Sequence, residues 1–518
     1  MGDFKVVTRF APSPTGFMHV GNLRTAFYSY LLAKKHNGTF ILRIEDTDKE
    51  REVKGATEHI LKVLKWVGVN WDEGPDIGGP HAPYTQSERL DLYKKYAQTL
   101  IEKGLAYPDP YTEEEVEKLR EKAELDKRPF LYREHRPEKF DVWDGTKPLR
   151  FKVSEIKSYK WNDLVFGDLS AGPEALDDFI LIKSDGYPTY NFAHVIDDIE
   201  MGVTHIVRGQ EFISSTPKFL SLYEALKIKP PFFVSLPHIL GKDGNKKLGK
   251  RDGAKDVMEY GEEGYLPETM INFLVLLGWH PSDDKEIFSM EELKEVFEVE
   301  RIQKSGAQWN DDKLDWMNKE YLKLLPPKKI EEEILKRLPT ELQNKDLVPV
   351  IFERISKWGD VKKWVEEKRN ITETKPDTIN ALMLNDYLNP LFDPVIIDAR
   401  SLIPKDLEIK KVIEYLNTVK DLVKKNDWIK LVEKNDDNEL WVFAGKEGRG
   451  KVLPPVRVAL SGKDKSIDLF EIMKAIGQDA TLRRIENAIK RLETPEKELN
   501  TETGNKIPTE SHIFTIKK

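Results

Sequence analysis

Apolar and polar positions alternate in short runs at the start of the chain. Val6–Phe10 reads as a strand, followed at once by the turn-rich run Ala11-Pro12-Ser13-Pro14-Thr15-Gly16. Leu23, Ala26, Phe27, Tyr30 and Leu31 then recur at helical spacing, with Gly38 as a stop. Thr39–Ile44 returns as a strand and ends in the acidic cluster Glu45-Asp46-Thr47-Asp48. This strand–loop–helix–strand order predicts a parallel sheet. Ile60, Leu61, Val63, Leu64 and Val67 mark a second amphipathic helix.

Around Tyr107 the pattern changes. A charged helix, Glu113–Glu124, leads into short strands near Leu149–Val153, Leu164–Phe166 and Phe179–Lys183, which predicts an α+β insertion. Strand–helix alternation resumes from Tyr187 to Leu240. Beyond Pro326-Pro327, neither of which fits inside a helix, the period is helical almost throughout. Residues 1–106 and 187–255 thus read as two halves of one α/β domain, 107–186 as its insertion, 256–325 as a small helical region, and 326–518 as an all-helical domain. The polar stretch from Thr494 to Lys518 reads as a loosely held tail.

Composition narrows the classes. At about 150 residues per domain, 518 residues suggest three or four domains. There are no cysteines, which excludes disulfides, cysteine zinc sites, iron–sulfur clusters and thiol nucleophiles. No apolar run is long enough for a membrane span, and the N-terminus lacks a signal-peptide layout, so a cytoplasmic location is the default expectation. The net charge of -8 leans against a general nucleic-acid binder, yet it leaves room for a local basic surface.

Two segments carry chemistry. In His19-Val20-Gly21-Asn22 a helix opens after the first strand, and its N–H groups and dipole suit a phosphate chain. Gly21 lets a flat base approach the backbone, and His19 can donate to phosphate oxygens. Singly, this is more often a capped helix with a surface histidine. In Lys246-Lys247-Leu248-Gly249-Lys250-Arg251-Asp252-Gly253-Ala254, basic side chains on a glycine-containing loop can stabilise charge on a leaving pyrophosphate. Alone, it is a solvated charge run.

Together they resemble the paired HIGH and KMSKS signatures of class I aminoacyl-tRNA synthetases. The runs Arg9–Gly16, Leu42–Asp48, Tyr187–Ala193 and Ser214–Pro217 are similar to the glutamyl-tRNA synthetase family. More weakly, Pro454–Gly462 and Asp479–Arg484 are similar to its bacterial-type anticodon-binding domain. The resemblance implies a Rossmann-like catalytic domain with an acceptor-stem-binding insertion, then helical stem-contact and anticodon-binding domains. It implies two-step chemistry: ATP, with Mg²⁺, activates L-glutamate to an adenylate, and the acyl group passes to the 3′ end of tRNA(Glu). Carried over, the glutamate pocket uses Arg9, Ala11, Ser13, Glu45, Tyr190 and Arg208. Guanidinium forks suit two carboxylates, and a carboxylate suits the ammonium. ATP lies by His19, Gly21, Asn22, Glu211, Leu240 and Lys250, with His19, Lys247 and Lys250 as catalytic groups. The family generally activates glutamate only with tRNA bound, and a monomer without a membrane partner is expected.

Three departures qualify the resemblance. Gly249 stands where the family usually has serine, so one hydroxyl is missing from the loop. Asn22 replaces a histidine at the end of the first signature. Some bacterial relatives bind zinc through cysteines in the insertion, where this chain reads Tyr107-Pro108-Asp109-Pro110-Tyr111, so no zinc is expected. Discrimination against tRNA(Gln) stays open, as does a catalytically dead paralogue, for which Gly249 is the one supporting feature. A small nucleotidyltransferase of the same fold would leave the helical half without a purpose. The pairs Lys410-Lys411, Lys424-Lys425, Arg483-Arg484 and Lys490-Arg491, with Trp428, Trp441 and Phe443, are candidates for tRNA contact, none assigned to the anticodon.

Overall fold

The computed structural model describes residues 5–249, 255–339, 345–371, 399–462 and 468–493. Two compact units emerge: one runs to Leu325 and takes in Ser356–Asp360, and the other comprises Pro326–Ile355 and the chain from Val361.

In the first unit, β1 (Val7–Phe10), α1 (Val20–Lys35) and β2 (Thr39–Leu42) form the opening parallel pair. Gly38 makes this crossover possible. A Cβ there would lie 2.1 Å from the Val6 carbonyl oxygen, the same oxygen that receives the Thr39 N–H at 2.8 Å. Helices α2 (Ala56–Trp66) and α3 (Leu90–Glu102) follow. The chain then leaves through β3 (Ala106–Pro108), α4 (Glu113–Leu125), β4 (Leu149–Phe151), the hairpin β5 (Tyr159–Asp163) and β6 (Gly167–Ala171), and β7 (Phe179–Ile182). Helix α5 (Tyr190–Glu200), β8 (His205–Gly209), α6 (Thr216–Leu226), β9 (Phe232–Leu236) and β10 (Ile239–Leu240) bring it back. The main sheet has the order β2-β1-β8-β9-β5-β6, parallel except at β6, whereas β3, β4 and β7 form a separate antiparallel sheet.

Leu164–Phe166, predicted as a strand, is the turn of the β5–β6 hairpin. Its apolar side chains mimic a strand, but local polar chemistry wins. The Asp163 carboxylate accepts the Val165 and Phe166 N–H groups at 2.9 and 3.0 Å, and Gly167 takes a φ of +80°. This hairpin docks on β9 in the main sheet although it lies inside 107–186. Helices α7 (Val257–Glu262), α8 (Pro267–Leu276), α9 (Met290–Val296) and α10 (Asp311–Lys323), with β11 (Ala307–Gln308) paired to β10, complete the unit.

One core joins α1 to α8 and α9 through Leu23, Phe27, Leu274 and Leu293; another joins α3, α5 and α6 to the small sheet. Burial of these side chains, at ~25 cal/mol per Å², is the main stabilising term. In the small sheet, Arg150 pairs with Asp109 and lies 3.4 Å over the Tyr132 ring, while Asp178 accepts from Arg136 and the Tyr107 hydroxyl. Among the described residues no group of three His, Asp or Glu side chains could hold a metal, and no helix is long and apolar enough to cross a membrane.

Among its described residues, the second unit is helical throughout, including Ile409–Lys425, Arg449–Ser461 and Leu469–Glu493 around a core of its own. Arg484 cannot serve a tRNA phosphate as it stands, being buried with Nη1 donating to the Leu460 carbonyl at 2.6 Å. Trp428, Trp441 and Phe443 pack partly into the core. The tail from Thr494 lies outside the described residues.

Candidate active site

The carboxyl ends of β1, β8 and β9 open onto a cavity of about 330 Å³, where ligands of open α/β sheets characteristically bind. Arg9, Ala11, Ser13, His19, Gly21, Asn22, Glu45, Tyr190, Arg208, Glu211 and Lys247 all line it. Leu240 does not. Its backbone pairs with Lys247 on one side and Gln308 on the other, while its neighbour Ile239 faces the cavity. Lys250 lies outside the described residues, as do Arg251–Ala254.

Because β1 and β8 are parallel neighbours, Arg9 and Arg208 emerge at the same sheet edge. Arg9 Nε donates to Asp198 Oδ1 at 3.0 Å. Arg43, in the residue after β2, donates Nη1 to that same oxygen at 2.8 Å and Nη2 to Glu45 Oε1 at 3.1 Å. Asp197 takes Arg89 Nε, Gln86 Nε2 and the Tyr93 hydroxyl, at 2.7 to 3.0 Å. Arginines and carboxylates thus fix one another in a buried lattice, with Arg9 and Glu45 at its cavity face. Burial alone would raise the Asp198 carboxyl, but the Arg9 and Arg43 cations outweigh it and pull its pKa down to about 2.

Arg208 is held differently. Three phenyl rings surround its guanidinium: Phe219 and Phe233 with centroids 4.9 Å away, and Phe212 at 5.8 Å. Nη2 donates to Thr216 Oγ1 at 2.7 Å, while Nε and Nη1 are buried without a hydrogen-bond partner. Burial lowers its pKa to about 10, and the group stays cationic at neutral pH. A cation with two unsatisfied donors at a cavity wall is prepared for a carboxylate. Tyr190 stacks on His194 at 4.5 Å beside it.

For Glu45, burial outweighs Arg43 and Arg9 and lifts the carboxyl pKa to about 7. If its ionised form holds a substrate ammonium, the KM for that substrate rises about tenfold from pH 8 to pH 6, and Glu45→Gln abolishes that dependence while weakening binding at every pH. Steady-state kinetics across this range checks it.

At the other end of the cavity, His19 is the N-cap of α1. Its Nδ1 accepts the Gly21 N–H at 3.0 Å, so the neutral ring carries its proton on Nε2. Gly21 is needed for this: a Cβ there would meet His19 Cε1 at 2.9 Å. Its lack of a side chain accommodates the imidazole as well as anything lying above it. Lys247 Nζ pairs with Glu211 Oε1 at 2.9 Å. Burial pushes Glu211 up, but the Lys247 hydrogen bond prevails and leaves it below the usual carboxylate range.

Arg43, Asp197, Asp198, Phe212 and Arg24 were not among the expected site residues. Arg24 lines the cavity, its guanidinium donating to the carbonyls of Leu277, at 2.9 Å, and Pro237.

The family model for tRNA synthetases class I (E and Q), catalytic domain, matches residues 5–316, and that for an anticodon binding domain matches 387–489. The fold is therefore that of a class I synthetase. The glutamate–tRNA ligase of Clostridium botulinum (strain Hall) is 43% identical over 501 residues, 94% of this chain and 99% of that protein. That of Carboxydothermus hydrogenoformans is 40% identical over 93% of this chain and 99% of its own. Among solved structures, a glutamate tRNA ligase from Elizabethkingia meningosepticum, crystallised in complex with its amino acid, matches with a TM-score of 0.67 and 33% identity. The match covers 94% of this chain and 100% of the other. The chain belongs to the glutamate–tRNA ligase family.

Proposed function

We propose that this cavity is where L-glutamate is joined to AMP and then passed to the terminal ribose of tRNA(Glu). The observation that carries the reading is Arg208, a buried cation with two unsatisfied donors, sharing one cavity with Arg9, Glu45 and the amino end of α1. Arg208 takes the side-chain carboxylate, and the Asp198-anchored Arg9 helps orient the substrate. Glu45 meets the ammonium, with Ala11, Ser13 and Tyr190 closing the pocket. ATP enters as its Mg²⁺ complex and lies against Gly21 and Asn22, with Glu211 by the nucleoside. An α-carboxylate oxygen of glutamate attacks the α-phosphorus and the bond to pyrophosphate breaks. His19 Nε2–H and the ammonium groups of Lys247 and Lys250 stabilise the charge that shifts onto the phosphate oxygens. The tRNA hydroxyl then attacks the acyl carbon and AMP leaves. Positioning supplies most of the rate, with no covalent enzyme intermediate.

On this reading 107–186 meets the acceptor stem, 256–325 contacts the tRNA stem and 326–518 reads the anticodon, in a cytoplasmic monomer. Lys250→Ala lowers adenylate formation about tenfold or more; unchanged pyrophosphate exchange with tRNA present would remove Lys250 from the site. The defining experiment offers labelled glutamate with purified tRNA(Glu) and tRNA(Gln) side by side. Charging of the first alone defines a discriminating ligase, and charging of both a non-discriminating one. Charging of neither rejects the reading and turns attention to Gly249.

A further inference from the structure

His59 lies on α2, outside the cavity, yet is hydrogen-bonded to residues that flank both signature segments, Met18 and Asp256. Its Nδ1 receives the N–H of Met18, the residue before His19, at 3.4 Å. Its Nε2 faces Asp256 Oδ2 at 2.9 Å, and with Nδ1 acting as acceptor Nε2 is the donor. Asp256 lies two residues beyond the second signature and is the N-cap of α7, its Oδ1 accepting the Met258 N–H at 2.9 Å. Each of its oxygens is therefore committed, one to the helix and one to His59. The backbone runs the same way: Val257 N–H donates to the Met18 carbonyl at 3.0 Å, and His19 bridges Asp256. The Phe17 ring, half-exposed, stacks on the His59 imidazole at 4.7 Å with 28° between planes, pinning it from a third side.

We propose that His59 is a positioning residue for adenylate formation, holding the His19 turn and the Asp256 cap in one register. The proposal rests on the reading that His19 and the second signature together stabilise the transferring phosphate. A shift of about 1 Å between two groups acting on one phosphorus costs up to about a hundredfold in rate. The backbone bonds pair Met18 with Val257 and His19 with Asp256, and His59 adds a side-chain brace to that pairing from a second direction. The His59 side chain is hydrogen-bonded to both Met18 and Asp256.

The test is tRNA-dependent pyrophosphate exchange by the full chain in three variants. His59→Leu removes both bonds. His59→Gln keeps a donor where Nε2 sits, and His59→Asn keeps an acceptor where Nδ1 sits. The expected result is a tenfold or larger fall in kcat for the leucine variant with glutamate KM within twofold of the parent, and partial recovery in the glutamine and asparagine variants. Should the leucine variant fail to fold, these two decide: each must fall between twofold and tenfold below the parent. A kcat within twofold of the parent in all the variants that fold overturns the proposal. So does a fall in kcat matched by an equal rise in glutamate KM, the mark of general loosening. His19→Asn and Lys247→Ala run in parallel. If they cripple exchange and the His59 variants do not, the His59 role fails alone; if they too are without effect, the reading of the site fails with it.

Discussion

Arg208→Ala is expected to raise the KM for glutamate about a thousandfold while the KM for ATP moves less than about threefold. Removing one partner of a buried charged pair costs about 3–5 kcal/mol, because the remaining carboxylate would sit beside Phe212, Phe219 and Phe233 with nothing to neutralise it. The three phenyl rings offer no polar group that could substitute for the guanidinium. Lysine does not rescue the variant: Nη2 is already spent on Thr216, and a single ammonium cannot supply that bond together with the two donors at Nε and Nη1, which lie on different edges of the planar guanidinium. On the proposed reading, the same geometry would set selectivity. Glutamine would bring a neutral amide whose NH₂ meets donors, leaving buried N–H groups unpaired, and such mismatches discriminate strongly without editing. Pyrophosphate exchange with tRNA present, varying glutamate and ATP separately, checks this. If ATP affinity collapsed alongside glutamate affinity, Arg208 would be part of the framework and not of the amino-acid pocket.

Part of the cavity wall was legible in the sequence because several of its residues sit in recognisable runs at the end of a strand or the start of a helix. Arg9 ends β1, Arg208 ends β8, and His19 opens α1. What lies behind the wall was not legible from runs. Asp197 and Asp198 read as a helical acid pair, which on most helices is solvated. The signal that could have found them is the company they keep: in α5, Phe192, Ala193, Val195 and Ile196 are all buried, so no face is left for solvent. Carboxylates in such a helix require buried cations, and Arg43 closing the apolar strand run Thr39–Ile44 is the matching anomaly. Leu164–Phe166 failed for the opposite reason. Apolar content was read as strand, while Asp163 and Gly167 on either side carried the turn.

Asp198→Asn should therefore affect both stability and the substrate. One oxygen of Asp198 receives Arg9 and Arg43 together, and both guanidinium groups are buried. Neutralising it leaves two desolvated cations sharing what Glu45 and Asp197 still offer Arg43, with no carboxylate for Arg9. Breaking such a pair costs about 3–5 kcal/mol, read as a lower urea midpoint at pH 7. The pH dependence has a defined sign. The Asp198 carboxyl is held at about 2, below its unfolded value, so its contribution is fully present above about pH 4 and is lost as pH falls toward 2. Wild type and variant should accordingly converge in stability between pH 4 and pH 2, and an unchanging gap over that range would assign the loss to packing instead. The functional arm separates the two arginines. Arg9 loses its anchor and glutamate KM rises about tenfold or more, the cost of a misdirected charge-assisted bond. Arg208, whose bonded partner is Thr216, keeps its place. Asp198→Asn is thus expected to weaken glutamate binding less than Arg208→Ala does while destabilising the fold more; a purely structural role for Asp198 would leave glutamate KM unchanged, and a purely catalytic role would leave the urea midpoint unchanged.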